Sequence, residues 1–132
     1  MEQFEFHPHA HHPVTGAARA WIDLEPGIQQ LALNEDAASG RKTVLQRWQP
    51  RTANVQQQQS FAHDYVEEIF LVSGDLADTK RGGGPWTAGA YAYRKPGMEH
   101  GPFYSEGGCL MFIVIIPDGG SKGEVVKEED GR

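Results

Sequence analysis

Phe61-Ala62-His63-Asp64-Tyr65-Val66-Glu67-Glu68-Ile69-Phe70-Leu71-Val72-Ser73-Gly74 is the stretch that decides how this chain is read. Its counterpart is Gly89-Ala90-Tyr91-Ala92-Tyr93-Arg94-Lys95-Pro96-Gly97-Met98-Glu99-His100-Gly101-Pro102. Glu67 follows His63 by four positions, a spacing that puts two side chains on one face of a helix. Tyr65, Val66, Ile69, Phe70 and Val72 favour strand instead, and Gly74 comes too soon for a helix of useful length. A hairpin corner fits better: His63 ends one extended segment and Glu67 begins the next. His100 follows the Pro96-Gly97 turn on a third segment. Two imidazoles and one carboxylate on three such segments form a ligand set for a divalent metal, with positions left open.

The flanking sequence has an all-β rhythm. Trp21 to Leu24 is a short strand closed by Pro26-Gly27, and Ile28 to Leu33 is a second. Thr43 to Trp48 alternates and ends at Pro50. If Val55 to His63 is extended, Gln57, Gln59, Phe61 and His63 face one side. Glu67 to Val72 is expected to stop at a Ser73-Gly74-Asp75 turn, with Leu76 to Thr79 returning as a hairpin. Lys80 to Pro85 reads as a surface loop. Its glycines lack both the Lys-Ser/Thr ending of a P-loop and the spacing of a dinucleotide fingerprint. Gly89 to Arg94 is a strand. Cys109 to Ile116 is uniformly apolar and β-branched, and reads as a strand buried on both faces.

Composition narrows the function classes. With 132 residues the chain makes one domain with a single core. Twelve basic against eighteen acidic residues give a net charge of −6, which argues against nucleic acid and anionic membrane surfaces as partners. Cys109 is the one cysteine, so no internal disulfide forms. The first ten residues lack the pattern of a signal peptide, and a cytoplasmic location is expected. Residues 1–20, rich in histidine, read as a flexible segment. Residues 21–117 read as the folded domain, and 118–132 as a disordered or loosely attached tail.

On residue types alone, His63 could equally be an ordinary histidine, and Glu67-Glu68 a solvated pair. The order of the whole run says more. Histidine, three residues, glutamate, six residues and glycine (His63, Glu67, Gly74) resemble the first motif of the cupin superfamily. Gly89, Pro96-Gly97 and His100 resemble the second. The paired Glu67-Glu68, the Gly-x-Tyr at 89 to 91 and Gly108-Cys109 are similar to the ChrR-like cupins. That group includes anti-sigma sensor domains and small dioxygenases such as the acetylacetone-cleaving enzyme.

The resemblance implies a single-domain cupin, an antiparallel β-barrel or jelly roll, commonly a homodimer, with a metal near one end. Cupins usually carry His-x-His, and Phe61 stands where the first of those histidines would be. The implied metal ligands, and the catalytic residues through the metal, are therefore His63, Glu67 and His100. Fe(II) is the expected metal, with Mn, Ni or Zn as alternatives. Gln59, Phe61, Tyr91, Tyr93 and Tyr104 are the candidate pocket residues; Glu68 points to the opposite face. The implied activity is an Fe(II) dioxygenase acting on a small carbonyl compound of the β-diketone or hydroxyketone type. The alternatives are a non-catalytic sensor cupin, or a cupin isomerase or lyase.

Overall fold

A computed structural model describes residues 5–12, 15–54, 64–80, 82–97 and 101–117. His63, His100, Gln59, Phe61 and the segment 118–132 lie outside them. Among the described residues the regular elements are all strands: β1 (Ile22–Glu25), β2 (Ile28–Glu35), β3 (Lys42–Trp48), β4 (Thr52–Ala53), β5 (Tyr65–Asp78), β6 (Gly83–Thr87), β7 (Tyr91–Arg94), β8 (Phe103–Ser105) and β9 (Cys109–Pro117). They pair antiparallel in the order β1-β2-β3-β9-β5-β8-β4, with β6 and β7 also on β5. The path curls: β1, near one end, and β8, near the other, line the same cavity. Among the described residues no helix is long and apolar enough to cross a membrane.

Strand β5 belongs to both halves of the fold. Its first part pairs with β9 and β7, and its second with β6 and β8. The expected turn at Ser73 to Asp75 is absent, and the strand runs on to Asp78. In place of a turn there is a bulge between Leu71 and Ser73. An extra residue bends a strand and reverses which side chains face inward. Ile69 and Leu71 are buried before it, and Leu76 and Asp78 after it.

Gly74 explains why a turn residue sits inside a strand. It has φ +86°, and a Cβ there would lie 1.9 Å from the Gly108 carbonyl oxygen. A glycine in a strand often marks such close backbone approach. Asp75 N donates to that same oxygen at 3.1 Å. The Lys80 to Pro85 stretch also differs from expectation, because Gly83 to Pro85 pair into β6.

The core lies between the two halves. Val44 and Trp48 of β3, Ile69 and Leu71 of β5, and Met111 and Ile113 of β9 are its centre. Their alternate neighbours face outward. Cross-strand partners carry one apolar row over five strands of the outer face: Leu31, Leu45, Phe112, Phe70, Tyr91. Phe112 stays 38% exposed and Phe70 44%. Strand β9 is therefore core-covered on one face and not on both, because nothing among the described residues covers that part of the outer face. Uniform apolarity alone could not reveal this.

The chain before β1 is tied to β2. Arg19 donates from a terminal nitrogen to the Ala32 carbonyl at 2.7 Å and lies 3.6 Å over the Phe6 ring.

Gly74→Ala is expected to cost on the order of 3 kcal/mol, since it combines a left-handed backbone with a clash against main chain. A thermal melt should show a fall of roughly 10 °C or more; an unchanged melt would contradict this account of β5.

Candidate functional site

Glu67 and Arg94 are direct cross-strand partners on β5 and β7. Both side chains face a cavity of about 190 Å³ inside the barrel. The Arg94 guanidinium lies 3.6 Å from a Glu67 carboxylate oxygen, with side-chain exposures of 10% and 13%. Burial lowers the Arg94 pKa from its ordinary value, and the Glu67 charge opposes that drop. The guanidinium also lies 4.9 Å over the Phe103 ring, an arrangement that favours a cation electrostatically.

Tyr65 reaches the cavity two residues before Glu67. Burial pushes its phenol up to about 12, and the charges of Glu67 and Asp64 add to the effect. It is therefore a neutral hydroxyl at ordinary pH. Gln46 lines the cavity from β3; its oxygen accepts from the Trp48 indole at 2.8 Å, and its amide donates to Gln30 at 3.2 Å. Asn54 contributes from the other half. Its side-chain oxygen accepts from Phe103 N at 2.7 Å, fixing the start of β8. Buried Asp78 accepts from Gly101 N at 3.1 Å and from Lys80 N at 3.1 Å. That carboxylate anchors the chain at Gly101, just before β8.

Of the sequence-derived metal ligands, Glu67 faces the interior; His63 and His100 lie outside the described residues. Among the described residues no three His, Cys, Asp or Glu side chains cluster as a metal site. Glu67 fits a ligand role by donor type and by its inward placement beside a cavity. Glu68 points the other way and accepts the Tyr91 hydroxyl proton at 2.5 Å.

Two of the candidate pocket tyrosines, Tyr93 and Tyr104, need correction. The Ala/Tyr alternation of β7 turns Ala92 and Arg94 inward, so Tyr93 is exposed and lines neither cavity. Tyr91 is exposed too, at the edge of a second hollow of about 130 Å³. Tyr104 lines neither; its hydroxyl bonds Glu106 at 2.6 Å. Arg47 lies over Trp21 at 4.0 Å and bonds Gln29, away from the cavity. Burial holds the Cys109 thiol up at about 11, which leaves it protonated and unreactive.

Arg94, Tyr65 and Gln46 are among the cavity residues that sequence reasoning passed over. A signal for Arg94 is present in the sequence: it has the opposite strand parity to Tyr91 and Tyr93.

A family model described as the ChrR Cupin-like domain matches residues 9–117. The chain belongs to this cupin family. The match begins before Trp21, so the N-terminal segment from residue 9 is part of the family pattern. No curated protein matches the sequence.

Solved cupin structures share the fold at low identity. An RmlC-like cupin from Shewanella frigidimarina NCIMB 400 is 18% identical, covers 89% of this chain and 95% of its own, and has a TM-score of 0.61. KdgF from a Halomonas species is 15% identical over 74% of this chain and 86% of its own, at TM-score 0.59. An acetylacetone dioxygenase from Acinetobacter johnsonii is 17% identical over 88% and 80%, at TM-score 0.60.

The raised Tyr65 pKa predicts an alkaline loss of stability. Its folded value lies above the ordinary tyrosine value of 10.0. The folded state therefore binds the proton more tightly, and stability present below pH 10 falls as pH rises through about 12. Tyr65→Phe should flatten that part of the stability curve, measured by denaturant melts across the range. An unchanged slope would place the phenol in solvent.

Proposed function

We propose that this cupin is a metal-dependent enzyme, a non-haem Fe(II) dioxygenase acting on a small carbonyl compound of the β-diketone or hydroxyketone type. The observation that carries the reading is Glu67, an inward carboxylate on the rim of an interior cavity. His63, Glu67 and His100 would hold the metal, and Mn, Ni or Zn could take the same set. The fold shared with an acetylacetone dioxygenase supports the reaction class.

When bound, such a metal polarises substrate oxygens and takes part in O₂ chemistry. The chain's own residues do the rest. Apolar Ile69, Leu76 and Met111 keep one wall of the cavity dry. Arg94 supplies a fixed positive charge beside Glu67 and faces whatever negative charge the substrate carries. Tyr65 can donate a hydrogen bond to a carbonyl oxygen without losing its proton at neutral pH.

Metal analysis of protein purified without chelator or nickel resin tests the reading. About one Fe per chain, with oxygen uptake on acetylacetone, is expected. Glu67→Ala should lower both metal content and uptake by at least about tenfold. Metal-free wild-type protein that stays folded would remove the reading. Metal bound without turnover of any diketone or hydroxyketone would favour a sensor cupin, a role suggested by the fold shared with the anti-sigma factor ChrR.

The proposal includes a homodimer. The exposed apolar row through Phe112, Phe70 and Tyr91 is the surface that supports it. Light scattering at micromolar concentration should give twice the 14.6 kDa chain mass; a monomer alone would contradict it.

A further inference from the structure

The second hollow, on the β6–β7 side of the barrel, has a volume of about 130 Å³. Small side chains keep it open. Strand parity turns Ala92 of β7 inward, and Ala90, just before that strand, packs on the core as well. A larger side chain at either position would enter the hollow. The glycines of β6 contribute too. A Cβ at Gly83 would lie 2.8 Å from the six-membered ring of the Trp86 indole, and one at Gly84 3.1 Å from it. Without those side chains the indole settles against main chain. It lines the hollow and keeps 40% of its surface exposed. Ile69, Leu71, Leu76 and Met111 complete the wall. Tyr91 and Arg94, at the border, are already engaged. The Tyr91 hydroxyl donates to Glu68 at 2.5 Å, and the Arg94 guanidinium is paired with Glu67.

The geometry points to this hollow as a binding site for a small, neutral, apolar molecule the size of one aromatic ring. Size sets the limit. A drug-sized ligand occupies a pocket of roughly 300 Å³ or more, whereas a cavity of roughly 150 Å³ with aliphatic and aromatic walls takes benzene. The lining sets the polarity. Water in such a hollow finds few partners, and its release by an apolar guest is favourable. Trp86 offers an aromatic guest a stacked or edge-to-face contact from a ring that is already fixed. A charged guest gains nothing there, because the guanidinium at the border belongs to Glu67. The site needs neither a metal nor the Glu67 carboxylate, so it stands independently of the dioxygenase reading.

Titration calorimetry on the full chain, with toluene and benzoate as probes, tests this. The two have similar shape and differ in charge. Wild type should bind toluene saturably, with one site per chain, and benzoate at least about tenfold more weakly. Ala92→Leu puts a side chain into the hollow and should weaken toluene at least about tenfold. Trp86→Ala removes the aromatic wall from an exposed position and should weaken it by several-fold or more, roughly the loss of one ring contact with its buried area.

Absence of saturable toluene binding by wild type overturns the inference, and so does benzoate bound as tightly as toluene. Toluene affinity unchanged in folded Ala92→Leu places the guest elsewhere and also overturns it. Where Ala92→Leu does not fold, unchanged affinity in Trp86→Ala does the same. Metal content of the protein does not enter the test, so failure of the dioxygenase reading and failure of this site are told apart.

Discussion

The fold depends on main chain meeting main chain at Gly74 and Gly108. A side chain at 74 would overlap the Gly108 carbonyl, and one at 108 would lie 2.9 Å from the Trp48 carbonyl. Two residues without Cβ atoms let β5, β9 and the end of β3 approach at one point. There β5 leaves the sheet shared with β9 and β7 and enters the one shared with β6 and β8. Without that crossing the two halves would have no common strand. Next to it, the carboxylate of Asp75 accepts from Glu106 N and Gly107 N at 2.8 and 2.9 Å, and buried Ser105 bonds its carbonyl at 2.6 Å. The polar contacts fix what the close approach permits.

The bulge just before the crossing decides which residues see the interior. It turns Glu67, Ile69 and Leu71 inward on one side, and Leu76 and Asp78 on the other. One strand therefore supplies the cavity carboxylate, part of the apolar wall, and the anchor for the chain at Gly101. Side chains carried on paired strands are held to the precision of the sheet and not that of a loop.

Much of this was legible in the sequence. The all-β architecture followed from short runs rich in β-branched and aromatic residues, with turn residues between them, and the strand bounds from 22 to 48 shifted by two residues at most. The motif spacing around His63, Glu67 and His100 pointed to the family. Ser73 to Asp75 misled because a glycine signals a turn and a close approach equally well, and only the position of Gly108, far along the chain, separates the two. Tyr93 misled because strand parity turns it outward, while the interior at β7 takes small Ala92 and paired Arg94. Whether an apolar strand is covered on one face or two depends on what lies outside the sheet, and Cys109 to Pro117 holds no information about that.

The pairing of Glu67 with Arg94 constrains how such a cavity can change over evolutionary time. The two residues face each other on neighbouring strands, so losing either alone strands a largely buried charge. Exchange of both for apolar or neutral residues of similar volume would be tolerated by the sheet. A lineage departing from this ligand chemistry would therefore be expected to change positions 67 and 94 as a unit. Intermediates carrying one substitution would be its least stable members.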